Sequence, residues 1–186
     1  NEKYNHLDIS KYKVSDTLTK KIQEARLKGK LLLFHPYSAS IHKSMPQSIT
    51  IDLLKEFLFK LEDYMVISTL QIDPKIKEDN FVDLSKESKN LNDFIYIISQ
   101  MDEIFTTDTS TYHISDIFMI QTIVVFTQAD YERKIKYYNY VKPIYIKDES
   151  KNLSKFIYEN ESLTFYKFES WKKIKISQII KLLDKF

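Results

Sequence analysis

Glu103-Ile104-Phe105-Thr106-Thr107-Asp108-Thr109-Ser110-Thr111-Tyr112-His113, with Thr122-Ile123-Val124-Val125-Phe126 shortly after it, is the stretch that decides the fold. Glu103 to Thr107 reads as a strand ending at Thr106-Thr107-Asp108, and Thr109 to Phe118 reads as a helix. Thr122 to Phe126 is the strongest β signal in the chain, being short, β-branched and free of charge. It is apolar on both faces, so it is expected to be covered on both sides. A strand, a helix and a strand joined by short connections make a βαβ unit, and such units build parallel sheets.

The same alternation extends outward. Leu31 to Phe34 is an apolar run that ends at His35-Pro36, where proline removes a ladder donor. A polar loop, Tyr37 to Ser48, leads to Ile51, Leu54, Phe57, Leu58 and Leu61 at helical spacing. Met65 to Ser68 and Phe81 to Leu84 are further strand candidates. Leu91, Phe94, Ile95, Ile98 and Met101 keep a period near 3.6, with Asn90 or Asn92 as the expected cap. The pattern predicts an open α/β sheet of Rossmann type, parallel, with helices on both faces. Before it, Ile9, Tyr12 and Val14 lie in an extended-looking segment, followed by a Lys-rich helix from Ser15 to Lys28 with Gly29 as its C-terminal residue. After it, strands are expected over Val141 to Ile146 and Leu163 to Phe168, a short helix over Lys151 to Tyr158, and a terminal helix over Lys173 to Lys185.

Composition narrows the possible chemistry. The 186 residues are 43% hydrophobic and 29% charged with a formal net charge of +2. That is enough apolar material for one sizeable core, and too much for a disordered chain. No run approaches the roughly 18 apolar residues of a membrane-spanning helix. With no cysteine there is no disulfide framework, zinc-thiolate site or thiol nucleophile, which fits a reducing compartment. Glycine occurs once, at Gly29, so neither a P-loop nor a G-x-G-x-x-G fingerprint can be written. A phosphate site in this chain must use a helix N-terminus, hydroxyls and lysine. The chain opens Asn1-Glu2-Lys3 without a methionine, so an N-terminal segment is expected to have preceded it.

In an open parallel sheet, ligands bind beyond the carboxyl ends of the strands. Two loops there carry chemistry. One is His35-Pro36-Tyr37-Ser38-Ala39-Ser40-Ile41-His42-Lys43-Ser44-Met45-Pro46, with hydroxyls and a cation. The other is Asp108-Thr109-Ser110-Thr111-Tyr112-His113, a hydroxyl-rich turn that opens a helix. The N–H groups of that helix start, joined by the Thr and Ser hydroxyls, suit a diphosphate, with Lys43 neutralising charge from across the site. Each residue also has a plainer role: Asp108 as a helix N-cap, Lys43 as a solvated loop lysine, His113 as a hydrogen-bonded structural histidine. His35 and His42 pair with no acidic residue at metal-ligand spacing, so no metal site is expected. The basic and aromatic segment Tyr131 to Tyr140 suits single-stranded nucleic acid or an anionic membrane surface, but the near-neutral chain favours a solvated edge and no nucleic-acid partner.

At the two loops the sequence resembles the C-terminal domain of glycosyltransferase family 9, the ADP-heptose:lipopolysaccharide heptosyltransferase group. The family's H-P-G-S-G-S followed by K-x-W-P is met by His35-Pro36-Tyr37-Ser38-Ala39-Ser40 and Lys43-Ser44-Met45-Pro46. Its D-L-S followed by S-L-x-E-L is met by Asp83-Leu84-Ser85 and Asn90-Leu91-Asn92-Asp93-Phe94. Its D-T-G-x-x-H is met by Asp108-Thr109-Ser110-Thr111-Tyr112-His113. The match spans about Leu31 to Asp130. The glycine of D-T-G is Ser110, the loop glycines are Tyr37 and Ala39, the Trp of K-x-W-P is Met45, and F-G-P-T becomes Phe126-Thr127-Gln128-Ala129. Each lost glycine places a side chain where backbone approaches the diphosphate.

The resemblance implies a two-domain fold of the GT-B type, with residues 1–29 a linker and helix from an absent N-terminal domain and residues 30–186 the nucleotide-sugar-binding domain. It implies that Lys43 contacts the diphosphate of a donor such as ADP-heptose. Asp108 lies near the sugar or holds that lysine, and Thr109, Ser110, Thr111 and His113, with Ser38 and Ser40, complete the donor site. No cofactor and no metal are expected. The acceptor, a surface glycolipid or polysaccharide, and the catalytic base belong to the absent domain, so the chain alone is expected to bind nucleotide without turnover. A bacterial, cytoplasmic setting at the inner face of the inner membrane follows by the same resemblance, with peripheral attachment to that membrane. The alternative is a non-catalytic binding or scaffolding module whose pocket is filled by Tyr37, Ser110 and Thr127.

Overall fold

Alternation along β1 (Lys30–His35) sorts its side chains onto two cores. In the computed structural model, which describes residues 8–40, 43–127, 130–146 and 170–183, all five residues Leu31 to His35 are buried. Leu32 and Phe34 join one cluster with Val66, Phe105, Ile123 and Val125, while Leu31 and Leu33 join another with Met65, Ile67 and Ile104. A strand that must satisfy apolar neighbours on both faces belongs in the middle of a sheet. The sheet order is β3-β2-β1-β4-β5-β6, from β2 (Tyr64–Ser68), β3 (Phe81–Asp83), β4 (Glu103–Thr107), β5 (Gln121–Phe126) and β6 (Val141–Tyr145). Every pairing is parallel. This is the open Rossmann-type sheet that the alternation predicts. Pro143 lies in β6, and β6 is at the sheet's edge, where a missing N–H can face outward.

Helices cover both faces. On one, α2 (Gln47–Lys60) contributes Leu53, Leu54, Phe57 and Leu58, and the C-terminal helix Ile176–Leu183 contributes Ile176, Ile179 and Leu183 beside Trp171. Phe34, Phe57 and Phe105 meet there with ring centroids 5.3–5.5 Å apart, close enough for aromatic pairing to add to area burial. On the other face lie α1 (Asp16–Arg26) and α3 (Leu91–Ser99), with Leu18, Ile22, Ala25, Ile97 and Ile98 packed on the sheet. Next to them α4 (Ser110–Ile117) and the short α5 (Tyr131–Ile135) enclose Tyr112, Val124 and Phe126.

The caps explain the helix boundaries. Asn90 Oδ1 accepts from the Asp93 N–H at 3.0 Å, and Ser15 Oγ accepts from the Leu18 N–H at 3.2 Å. The helix expected over Ser15 to Lys28 therefore starts at Asp16, and it stops at Arg26, whose guanidinium meets the Asp102 carboxylate at 3.1 Å. The same carboxylate accepts from the Leu31 N–H at 2.7 Å, tying the entry of β1 to the entry of β4. The terminal helix is shorter at its start than the span from Lys173 predicts. The helix expected over Lys151 to Tyr158 and the strand expected over Leu163 to Phe168 lie outside the described residues, as do Ile41, His42, Gln128 and Ala129.

Gly29 does not serve as a left-handed helix terminator, since no glycine has positive φ. Its constraint is contact: a Cβ built there would lie 2.5 Å from the Asp63 carbonyl oxygen, which accepts from the Lys30 N–H. The left-handed position is instead taken by Met119, at φ 57° after α4. The Met119 N–H donates to Asp116 O and the Ile120 N–H to Ser115 O, each at 3.0 Å, which is the Schellman pattern normally built on glycine. A side chain in that region costs about 1 kcal/mol or more. Met119 is half exposed, so its loss opens no cavity. Met119→Gly is therefore expected to stabilise the fold by about 1 kcal/mol, read as a higher urea midpoint at unchanged m-value.

Candidate functional site

The strand order reverses between β1 and β4, and their ends are level: His35 is in register with Thr106. The Thr106 hydroxyl donates to His35 O at 3.0 Å, so the two following loops leave the sheet side by side. Between them lies a cleft of about 540 Å³, lined by His35, Tyr37, Ser38, Ala39, Ser40, Lys43, Asp108, Thr109, Ser110 and His113. Seven of the eight residues singled out in the sequence are thus brought together. Thr111 is the eighth, and it is fully buried and not on the cleft wall, because the second residue of α4 turns into the protein.

The first loop is held by its own serines. Ser44 Oγ accepts from the Ser38 N–H at 2.8 Å and lies 2.9 Å from Ser38 O, while Ser38 Oγ accepts from the Ser40 N–H at 3.3 Å. The Met45 N–H closes the turn on Pro36 O at 2.9 Å, with the Met45 side chain buried. Ser44 was legible only as one hydroxyl among several, yet it sets the loop's shape. The loop delivers Lys43 across the cleft, where its Nζ lies 3.1 Å from Asp108 Oδ2. Lys43 is therefore an ion-paired residue, three-quarters covered, and not the solvated lysine of the plainer reading.

The second loop assigns its roles differently from the sequence expectation. Thr109, not Asp108, caps α4: its Oγ1 accepts from the Thr111 N–H at 3.2 Å and lies 3.2 Å from Thr106 Oγ1. Asp108, released from capping, receives Lys43 on Oδ2 together with Lys134 Nζ at 2.7 Å, and the Tyr112 hydroxyl on Oδ1 at 3.4 Å. Burial alone raises a carboxyl's affinity for its proton, but the two lysines outweigh it and hold Asp108 below the usual range. Tyr112 is pushed up by burial and by Asp108. His113 lines the cleft one turn along α4, its Nδ1 bonded to the Tyr138 hydroxyl. Burial lowers its affinity for a proton and both lysines act in the same direction, against Asp108 and Asp116, with a net downward shift. His35 is more deeply buried, lowered to about 4, and its Nδ1 is paired with Thr69 Oγ1 at 3.0 Å.

Lys134 is the residue that sequence reasoning missed. It lies in the basic and aromatic segment read as a solvated edge, but Tyr131 stacks between Phe126 and Tyr145, at centroid distances of 5.6 and 5.1 Å. That anchors α5 and turns Lys134 inward. The one signal for it was Asp130, four residues earlier, whose carboxylate lies 3.8 Å from Lys134 Nζ. Of this segment Tyr137 is largely exposed. Tyr37 and Ser110 stand on the cleft wall without closing it, and Thr127 is buried outside it. Among the described residues no three His, Cys, Asp or Glu side chains gather as metal ligands, and no helix is long and apolar enough to cross a membrane.

Because the folded-state proton affinity of Asp108 is lowered, its contribution to stability is complete above the unfolded carboxyl value of about 4 and fades as pH falls through the lower folded value. Asp108→Asn removes the anion that two largely covered ammonium groups share, at an expected cost of about 1–3 kcal/mol at pH 7. In urea titrations the gap between variant and parent should be constant from pH 7 to about 5 and shrink below that.

The sequence matches no protein-family model. No curated protein sequence matches it either. Solved structures do. The glycosyl transferase family 9 structure from Veillonella parvula DSM 2008 superposes with a TM-score of 0.62 at 14% identity, covering 93% of this chain and 52% of that one. The E. coli ADP-heptose lps heptosyltransferase II structure gives a TM-score of 0.62 at 13% identity, with 93% and 52% covered. The chain spans about half the length of these neighbours. At such identities the likeness establishes the architecture: the chain has the parallel, six-stranded Rossmann-like α/β fold found within family 9 glycosyltransferase structures.

Proposed function

We propose that this chain is the nucleotide-sugar-binding half of a glycosyltransferase, holding the donor's diphosphate in the cleft between the β1 and β4 loops. The observation that carries this reading is the meeting of Lys43, from the first loop, with the N-terminal end of α4 on one cleft wall at the point where strand order reverses. A diphosphate is a dense anion. Helix N-termini present N–H groups and the positive end of a dipole to such a group, and a lysine supplies a mobile full charge. Ser110 and His113 add donors, and Ser38 and Ser40 line the cleft as well. Thr109 contributes by fixing the helix start, since its hydroxyl already caps Thr111.

In sugar transfer an acceptor hydroxyl attacks the anomeric carbon, a new C–O bond forms, and the bond from that carbon to the diphosphate oxygen breaks. Negative charge then grows on the departing nucleotide diphosphate. Fixed dipoles and a lysine aimed at that charge lower the barrier without reorganising. The resemblance of the loop sequences supports ADP-heptose or a related sugar nucleotide as donor and a glycolipid or polysaccharide as acceptor. The acceptor site and the base that takes its proton are assigned to a second domain, at the cytoplasmic face of a membrane. The open cleft beside Tyr37 and Ser110 favours this reading over a module whose pocket is filled.

Calorimetric titration with ADP, UDP, GDP and CMP is expected to show saturable binding of one nucleotide. Removing one charge-assisted contact by Lys43→Ala should weaken it roughly 10- to 100-fold. Absence of binding by the folded chain, or equal affinity in the variant, would contradict the proposal.

A further inference from the structure

Asp108 holds two cations on one oxygen, and they stand in different places. Lys43 comes from the loop that forms the cleft wall and is part of the lining. Lys134 comes from α5, is not part of the lining, and reaches the same Oδ2 at 2.7 Å against 3.1 Å for Lys43. Behind it Asp130 Oδ1 lies 3.8 Å from Lys134 Nζ. The four charges form a chain, Lys43–Asp108–Lys134–Asp130, that sums to zero. Deleting Lys134 leaves one cation of this chain against two carboxylates, so its charge becomes −1 and Lys43 becomes the one lysine of the chain on Asp108, beside the Tyr112 hydroxyl. An entering anion would then meet repulsion and would have to take Lys43 from a carboxylate with no other partner cation.

We infer that Lys134 is a positioning residue for anion binding: by holding Asp108 from behind, it frees Lys43 to move from the carboxylate to the bound diphosphate. This rests on the donor-site reading and adds to it a residue outside the cleft. The surrounding structure keeps the brace in place. Tyr131 stacks on Phe126 and Tyr145 at one end of α5, and Tyr138 bonds His113 just beyond the other, so α5 is fastened to both β5 and α4. The Tyr112 hydroxyl donates to Asp108 Oδ1 at 3.4 Å, a contact to the carboxylate oxygen that the lysines do not share. The basic and aromatic character of residues 131–140 thereby has a use other than a nucleic-acid surface.

The test is a double-mutant cycle on the whole chain, with inorganic pyrophosphate as the probe and carbon-detected titration of the Asp108 carboxyl as a second readout. Lys134→Met is expected to weaken pyrophosphate binding about tenfold or more when Asp108 is present and less than about threefold in the Asp108→Asn background. Lys134→Arg should restore affinity. The Asp108 titration should move upward by about one unit in Lys134→Met. Equal weakening in both backgrounds would overturn the inference, because Lys134 would then act on the anion directly or on the fold. If the parent chain binds no pyrophosphate, the donor-site reading fails. The Asp108 titration then decides this one, an unmoved carboxyl in Lys134→Met showing that Lys134 does not brace it.

Discussion

The pairing of β1 with β4 is the constraint from which the rest follows. Each strand is buried on both faces, so each has a strand on either side and a helical layer above and below. The chain meets that need by building β2 and β3 out from one side of β1, then returning to lay β4, β5 and β6 on the other. Such a return leaves the loops after β1 and β4 diverging from adjacent strand ends, with nothing of their own layer between them. The cleft is therefore a by-product of burying Leu31 to Phe34 and Glu103 to Thr107, and its chemistry is whatever those two loops carry.

What they carry is governed by one buried carboxylate. Asp108 lies at the end of a strand in the protein interior, where an isolated charge is costly and the group would take up a proton. Two lysines from separate parts of the chain prevent that. Both reach the same oxygen, Asp108 Oδ2, so the arrangement is better seen as a network than as two separate salt bridges. It joins the first loop, the start of α4 and the brace α5. His113 and Tyr138 add a second link between α4 and the segment after α5. The dense packing of Tyr112 against Phe126 and Tyr138 keeps that network in one geometry.

The layers were legible in the sequence because they depend on short-range periodicity. The short apolar runs of β1 and β5 and the 3.6-residue spacing in α2 and α3 identify the elements, and the βαβ order identifies the sheet as parallel. The two cleft loops were legible because the fold dictates where strands end. Roles inside the site were less so. Asp108 and Thr109 are both good capping residues; Thr109 caps, while Asp108 is taken by Lys43 and by Lys134, placed 26 residues further on. Thr111 belongs to the same hydroxyl-rich motif, but helical geometry turns it inward. Gly29 stands where a helix terminator is expected, whereas its constraint is the Asp63 carbonyl across a connection that periodicity does not describe.

The most direct measurement of the proposed role is a backbone amide NMR titration of the chain with the nucleoside diphosphate that binds it. Binding in the cleft predicts the largest shift changes at Ser38, Ser40, Lys43, Ser110 and His113, with the far end of the fold around Phe59 and Met119 unmoved. Saturable shifts centred elsewhere, with the β1 and β4 loops silent, would contradict a diphosphate site at the point where the strand order reverses.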